Sequence, residues 1–294
     1  MDLKQLKYFV TVADEGSISA GAKKLFLSQP PLSTQLRDLE EELGCTLFER
    51  GSRHITLTEP GKTLYTYAKT MLDLSRVAKE EVSSEADPTR GTVRIGMVSS
   101  LICSRALRWL SDFSAENPKI NFEITEGNTY QLLEQLDAGT LHFALIRTPY
   151  SKGRRESIQI AADEMVAVGK REFFSSNKNV SLEELEKKPL IVYRRWEATL
   201  HLAFSERDLK PHVRILADDS RTVVKAAELG IGVAVVPRSA IEILTSEDTV
   251  TRPITGCDLS SSMDIVRIPE RYLPGCAKRF LDFLKNNAVE THPK

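Results

Sequence analysis

The segment from Ser28 to Glu40 constrains the fold of this chain most, because it carries both the start signals and the periodicity of an amphipathic helix. Ser28 suits an N-cap position, and Pro30 and Pro31 are tolerated in a first helical turn, where N–H groups have no helical partner. The leucines that follow recur at spacings of four, three and four and form one apolar face. The opposite face carries polar side chains that can hydrogen-bond to base edges or phosphates, namely Gln29, Ser33, Thr34 and Arg37.

The residues around this segment predict a helix-turn-helix followed by a hairpin. A first amphipathic helix ends near Gly16, a second follows it, and the turn from Phe26 to Ser28 leads into the third. Gly44 ends the third helix, and two short extended runs then flank a basic turn at 51–54. A winged helix-turn-helix of this kind places its third helix in the major groove, and a basic wing tip suits the minor groove or flanking phosphates. The predicted DNA contacts are therefore Gln29, Pro30, Pro31, Ser33, Thr34, Arg37, Arg50 and Arg53.

Charge placement, rather than net charge, must carry any binding of DNA. The chain of 294 residues has a formal net charge of −1, and its first 60 residues contain more acidic than basic side chains. Only groups close to phosphate contribute strongly to binding. The three acids Glu40, Glu41 and Glu42 are therefore expected to form a solvated face turned away from phosphate.

The composition argues against several other classes of protein. The four cysteines are scattered, which favours reduced thiols over disulfides or a zinc site. The five histidines form no metal-binding or catalytic pattern, so we predict no enzyme activity, no metal and no cofactor. No apolar run approaches the roughly 20 residues that span a bilayer, and no secretory signal is visible at the N-terminus. We therefore expect a cytoplasmic protein without a membrane partner.

A long helix is predicted to follow the wing, because no proline appears between Pro60 and Pro88. Apolar or small residues recur there with the heptad spacing of a coiled coil over roughly three repeats. The predicted seam consists of Leu64, Ala68, Met71, Ser75, Ala78 and Val82. A helix of this length in mid-chain indicates a homodimer contact, although it could instead pack on its own domain.

The C-terminal two thirds alternate between strand and helix patterns, which indicates parallel sheets covered by helices. The pattern restarts after residue 162, so we predict two lobes. Lobe I is expected at 91–162 and 267–294, and lobe II at 163–266. The overall fold class is then α/β, with a winged helix-turn-helix at 1–58, a linker helix at 59–87 and a two-lobed domain at 88–294.

Ligands of open α/β sheets lie beyond the carboxyl ends of the strands, and several polar groups are expected to meet there. Ser99 could be only a helix cap, and Arg147 could pair with an acid of its own lobe instead of a carboxylate ligand. Only one of Arg194 and Arg195 is expected to face the cleft, because neighbours on a strand point in opposite directions. The predicted effector contacts are Ser99, Ser100, Asn128, Thr129, Arg147, Arg194 and Trp196.

The first 61 residues resemble the DNA-binding domain of LysR-type transcriptional regulators. The residues that match are Leu6-x-x-Phe9, Ala22-x-x-Leu25, Ser28-Gln29-Pro30-Pro31-Leu32-Ser33, Leu47-Phe48-x-Arg50 and Leu57-Thr58-x-x-Gly61. Further along, Gly230-x-Gly232-x-x-x-x-Pro237 resembles the effector domain of the same family, whose fold is similar to that of periplasmic solute-binding proteins. Two departures from the family pattern are Gly21, which should weaken the second helix, and Thr34, which replaces a basic residue.

The resemblance implies a bacterial regulator that binds promoter DNA and assembles as a homotetramer of two linker-helix dimers. We expect its control by a small organic anion, an aromatic or an aliphatic carboxylate, bound between the lobes. The motivation for an aromatic ligand is Tyr193 and Trp196 beside the cleft arginines. Redox sensing at Cys103 is the alternative, although the apolar face of its helix favours a buried thiol.

Overall fold

The computed structural model describes residues 1–50, 54–84, 87–102, 105–175, 178–257 and 259–288. The chain divides into two compact units, Met1–Ser83 and Ser84–Lys294. Within the described residues, no helix is long and apolar enough to cross a membrane. Cys103 and Arg53 lie outside the described residues, so the predictions for these two side chains stay predictions.

The first unit is a winged helix-turn-helix continued by a long helix. Its elements are α1 (Leu3–Glu15), α2 (Ile18–Lys24), α3 (Gln29–Leu43), β1 (Phe48–Arg50), β2 (Ile55–Leu57) and α4 (Glu59–Ser84). The strands β1 and β2 pair antiparallel and form the wing. The core contains Leu32, Leu36 and Leu39 of α3, as the periodicity predicts, whereas Leu43 is 39% exposed. Ser28 occupies the N-cap position of α3, but its side chain makes no capping hydrogen bond.

Two residues of this unit have structural roles that the sequence did not predict. The Glu40 carboxylate accepts hydrogen bonds from the backbone N–H of Leu47, at 2.7 Å, and of Phe48, at 3.2 Å. The prediction of a solvated Glu40 is therefore wrong, because its carboxylate fastens the start of β1 to α3. At Gly21, a Cβ would lie 2.7 Å from Val12 Cγ2, so a side chain there would disturb the contact between α1 and α2.

The long helix α4 ends close to the predicted boundary, but its predicted seam is partly wrong. Leu64 and Ala68 pack against the core of the first unit instead of forming an exposed stripe. Tyr67 and Leu74, which were not predicted, are exposed together with Met71 and Val82. The exposed apolar stripe of α4 therefore consists of Tyr67, Met71, Leu74, Ala78 and Val82.

The second unit is a two-lobed α/β structure. Its strands are β3 (Gly91–Met97), β4 (Ile120–Glu126), β5 (Phe143–Arg147), β6 (Glu156–Lys170), β7 (Val180–Ser181), β8 (Pro189–Tyr193), β9 (His212–Ala217), β10 (Val233–Pro237), β11 (Thr249–Thr255) and β12 (Ser260–Arg267). Its helices are α5 (Ser99–Ile102), α6 (Arg105–Glu116), α7 (Thr129–Ala138), α8 (Leu182–Glu186), α9 (Glu197–Ser205), α10 (Ser220–Glu228) and α11 (Gly275–Ala288), with short 3-10 turns at Arg171–Phe173, Arg194–Trp196 and Arg238–Ile243.

The strand order β4-β3-β5-β12-β6-β10-β8-β9 joins the two lobes through β6. In lobe I, β3 is parallel to β4 and β5; in lobe II, β8 is parallel to β9 and β10. Each lobe has its own apolar core. The central strand β6 runs unbroken through both lobes, so the predicted restart after residue 162 is the second half of one strand.

The strand β12 departs from the predicted lobe boundary. Its residues Met263 to Val266 pair antiparallel with β5 in lobe I, and three of them belong to the lobe I core. The chain therefore returns to lobe I before residue 267. The two-residue strand β7 and the longer strand β11, which complete the sheet of lobe II, were not predicted from the sequence.

Candidate DNA-binding surface and effector cleft

The predicted DNA-reading residues lie together on α3. Gln29, Pro30, Pro31, Thr34 and Arg37 are exposed, and Ser33 is half-buried. Their polar atoms make only local contacts. Gln29 accepts a hydrogen bond from Ser19 at 3.1 Å, and Thr34 donates one to the carbonyl of Pro30 at 3.1 Å. Arg37 lies 3.8 Å from Glu41 in an exposed ion pair, which is weak in water. This face of α3 is thus available to a partner, while the backbone of Arg50 places that residue in β1 of the wing.

Arg147 ends β5 and is fully buried. Its guanidinium forms an ion pair with Asp163 at 2.8 Å and donates to Ser100 Oγ at 3.0 Å, to Ser261 Oγ at 3.2 Å and to Ser239 Oγ. Burial lowers the pKa of Arg147, and the Asp163 carboxylate opposes that shift. The prediction of a free guanidinium for a ligand is therefore wrong, because an acid of the protein already occupies it.

The two arginines after β8 divide as one inward and one outward residue, but in the opposite sense to the prediction. Arg194 is 51% exposed and pairs with Asp218 at 2.5 Å. Arg195 instead reaches into lobe I, where it donates to Thr129 Oγ1 at 2.6 Å, to the carbonyl of Pro149 at 3.3 Å and to that of Arg147. The reason is that β8 ends at Tyr193 and a 3-10 turn follows, so strand alternation no longer applies.

Arg195 is a largely buried cation that meets no acidic side chain within the described part of the chain. Among the described residues, no carboxylate forms an ion pair with it, and its buried Nε makes no hydrogen bond. Burial lowers its pKa, and the neighbouring positive charge of Arg147 lowers it further. An anion in contact with Arg195 would therefore remove an electrostatic cost that the protein itself does not offset.

The predicted aromatic face is absent from the cleft. Trp196 is 2% exposed and belongs to the core of lobe II, where its indole N–H has no hydrogen-bond partner among the described residues. Tyr193 is buried in the same core. The prediction of Trp196 as an exposed ligand contact is therefore wrong.

The structure uses the side chains of the predicted contacts Ser99, Ser100, Asn128 and Thr129 in different ways. Asn128 caps α7 in a reciprocal pair with Gln131, so its side chain is used for the helix itself. Ser99, Ser100 and Thr129 are buried at the line where the lobes meet. Ser99 accepts from the backbone N–H of Ser220 at 3.4 Å, and Thr129 accepts from Arg195. The structure thus brings Ser99, Ser100, Thr129 and Arg147 together with Arg195.

The sequence patterns do not indicate several residues of the cleft. Asp163 and Ser239 complete the surroundings of Arg147, and Arg221 at the start of α10 joins lobe II to Glu126 of lobe I. Asp163 could have been noticed as an acid inside an otherwise strand-like run. The pairing partner of each group, however, depends on long-range contacts that periodicity does not encode.

Each of the two units matches a known protein family. Residues 3–62 match the family described as the bacterial regulatory helix-turn-helix protein, lysR family, and residues 86–289 match the LysR substrate binding domain. The chain belongs to the LysR family of transcriptional regulators. This regulator is 28% identical over 290 residues to the HTH-type transcriptional regulator BsdA of Bacillus subtilis, covering 96% of this chain and 99% of BsdA. It is also 28% identical over 252 residues to ClcR of Pseudomonas putida, covering 83% and 85% of the two chains.

Solved structures show the same fold. The LysR family regulator CbnR superposes with a TM-score of 0.83 at 23% identity, covering 98% of this chain and 99% of CbnR. Full-length CbnR complexed with its target DNA gives a TM-score of 0.81 at 23% identity, covering 98% and 100%. The family matches identify the two units as those of a DNA-binding transcriptional regulator with a substrate-binding domain.

Proposed function

We propose that this LysR-family regulator binds a specific promoter sequence and that a small organic anion, held between lobes I and II, controls the binding. The single observation that carries the effector part is Arg195, a largely buried guanidinium that meets no carboxylate of the described chain. Because promoter DNA is the proposed partner, we propose that the protein acts in the bacterial cytoplasm.

The DNA part of the proposal rests on the exposed face of α3. Gln29 and Ser33 supply hydrogen-bonding groups for base edges, and Arg37 supplies a cation for a phosphate or a guanine. Pro30, Pro31 and Thr34 lie on the same surface, but the Thr34 hydroxyl is used within the helix. Arg50 and Arg53 are proposed contacts of the wing.

The effector part assigns the anion to Arg195 rather than to Arg147 or Arg194. The carbonyl oxygens that Arg195 contacts are neutral acceptors, and a carboxylate binds a guanidinium with two stronger parallel bonds. Thr129, Ser99 and Ser100 lie along the same line between the lobes and supply hydroxyl groups. Because Tyr193 and Trp196 are buried, neither of them offers an exposed ring to an aromatic carboxylate.

A thermal-shift screen of the full-length protein tests this assignment, with aliphatic and aromatic carboxylates beside their neutral amides. We expect carboxylates, and not the amides, to raise the melting temperature. For the best compound, Arg195→Gln should weaken binding roughly tenfold or more, since a charge-assisted hydrogen bond contributes about 1.5–3 kcal/mol. The matched variant Arg194→Gln should bind within about twofold of the wild type. Equal binding by wild type and Arg195→Gln would contradict the proposal.

We further propose that two copies pair through the exposed apolar stripe of α4, and that two such dimers form a tetramer. The exposed apolar stripe, from Tyr67 through Met71, Leu74 and Ala78 to Val82, recurs every three or four residues along a helix of 26 residues. Redox sensing at Cys103 stays a prediction, since that residue lies outside the described part of the chain.

A further inference from the structure

Phe26 lies in the turn between α2 and α3, immediately before the N-terminus of the DNA-reading helix. Its side chain is 95% exposed, more than any other large apolar side chain in the described residues. A phenylalanine in this position gains nothing from burial within its own chain. Exposure of one apolar side chain is common by itself, so it indicates a partner only together with the backbone conformation of Phe26.

The backbone of Phe26 is also unfavourable for a residue of this kind. Its φ is +56°, in the left-handed region that costs a residue with a side chain roughly 1–2 kcal/mol. The backbone N–H of Leu27 donates to the carbonyl of Ala22, and that of Phe26 donates to the carbonyl of Lys23. This is the Schellman pattern, in which the left-handed residue is usually glycine.

The rest of the chain follows that glycine rule. The ends of α1, α3, α7 and α10 place Gly16, Gly44, Gly139 and Gly230 in the left-handed region. The other non-glycine residue with positive φ in the described chain is Asp208, whose short polar side chain tolerates that region. Phe26 thus combines a ring that gains nothing from folding with a strained backbone, at a site where glycine would remove the strain.

We propose that Phe26 is a specificity-determining DNA contact, which packs its ring against the methyl group of a thymine in the major groove at the edge of the sequence read by α3. Phe26 lies three residues before Gln29, the first residue of α3, and Lys23, whose carbonyl accepts from the Phe26 N–H, is exposed and cationic. Thymine carries the one apolar group that bases present in the major groove, and apolar side chains read it. This inference rests on the proposed sequence-specific binding by α3.

The experiment uses the full-length protein and a duplex that the wild type enriches from a random-sequence library. Each thymine of that duplex is replaced in turn by deoxyuridine, which removes only the methyl group. The dissociation constant of each duplex is measured for the wild type and for Phe26→Gly. Leu229→Asn, which changes an exposed apolar residue at the end of α10, is the matched control.

We expect one thymine replacement to weaken wild-type binding about fourfold, the value for burial of one methyl-sized group. The same replacement should have no effect on Phe26→Gly, whose affinity for the unmodified duplex is already reduced. Phe26→Gly should melt at or above the wild-type temperature, because glycine relieves the left-handed strain. Loss of affinity through misfolding is thereby separated from loss of a contact.

Three results would overturn the inference. If every deoxyuridine duplex affects the wild type and Phe26→Gly equally, Phe26 reads no thymine methyl, although the proposed function stands. If Phe26→Gly changes the oligomeric mass instead of the thymine dependence, the ring contacts a second copy of the chain. If the wild type enriches no duplex at all, the proposed sequence-specific binding fails and the inference fails with it.

Discussion

Two arginines at the proposed effector cleft differ in their surroundings, because only Arg147 meets an acid among the described residues. Arg147 and Asp163 form a buried ion pair, which three serine hydroxyls complete. Arg195 contacts a hydroxyl and two carbonyls, and no carboxylate among the described residues. Removal of Arg147 would leave a buried anion unpaired, whereas neutralisation of Arg195 removes a charge that the fold does not need. The first is thus a structural residue, and the second is available to a ligand.

Substitution of Arg147 should therefore test stability rather than ligand affinity. Arg147→Met should lower the free energy of unfolding by about 3–5 kcal/mol, because the buried Asp163 carboxylate loses its cation and keeps, among the described residues, only the hydrogen bonds from Ser239. The double variant Arg147→Met/Asp163→Asn should recover much of that loss, since the unpaired charge is gone. Urea titration of the three proteins measures these values. A loss below about 1 kcal/mol for Arg147→Met would contradict the assignment.

Glu228, at the end of α10, gives a pH-dependent prediction. Its buried carboxylate accepts from Lys225 and from the backbone N–H groups of Thr245 and Ser246, and these bonds lower its pKa from 4.5 to about 2. A lowered pKa in the folded state stabilises the fold above pH 4.5, and this contribution is lost as the pH falls from 4.5 towards 2.

Glu228→Gln should therefore destabilise the protein by about 1–3 kcal/mol at pH 7, since it replaces hydrogen bonds to a charged group. Its melting temperature should approach that of the wild type as the pH is lowered from 5 towards 3. Glu247→Gln, in the loop that contains Thr245 and Ser246, is the control for loss of a negative charge. Parallel melting curves for the wild type and Glu228→Gln across that pH range would refute the role given to Glu228.

At the level of elements, the sequence predicted those segments whose periodicity has a single interpretation. The helix α3 was predicted nearly to its ends because its leucines define one face and Gly44 stops it. The exposed stripe of α4 was not predicted correctly, because Leu64 and Ala68 fit a heptad pattern as well as Tyr67 and Leu74 do. Only the core formed by the rest of the first unit decides between these two faces. Likewise the second half of β6 looked like the start of a new lobe, because Asp163 interrupts the apolar pattern of the strand yet is paired in the fold.

The exposed stripe of α4 leads to a prediction about assembly. Leu74→Lys should dissociate the oligomer, or shift its dissociation to higher protein concentration, because it places a charge in a proposed apolar interface. Leu72→Ala removes an apolar group that packs within the first unit, so it should lower stability and leave the mass unchanged. Sedimentation equilibrium distinguishes the two effects. An unchanged mass for Leu74→Lys at all concentrations would contradict pairing through this stripe.

For the whole molecule, the contacts that cross between the lobes explain how an anion could act at a distance. Arg195 ties lobe II to Thr129 and to two carbonyls of lobe I, and Arg221 ties α10 to Glu126. A ligand that takes over Arg195 replaces some of these bonds and so favours one arrangement of the lobes. Control of DNA binding requires that the anion bind one arrangement better than the other.

Control of DNA binding by an anion at Arg195 can be measured as the dissociation constant of the enriched duplex with and without a saturating carboxylate found in the thermal-shift screen. We expect the carboxylate to change the affinity of the wild type for the duplex by about 5- to 150-fold, and the duplex to change the affinity for the carboxylate by the same factor. Addition of the carboxylate should leave the affinity of Arg195→Gln for the duplex unchanged, whereas Arg194→Gln should behave as the wild type. Two results would contradict control of DNA binding through Arg195. One is a carboxylate effect on DNA affinity in Arg195→Gln as large as in the wild type, and the other is a carboxylate that binds without any effect on the affinity for DNA.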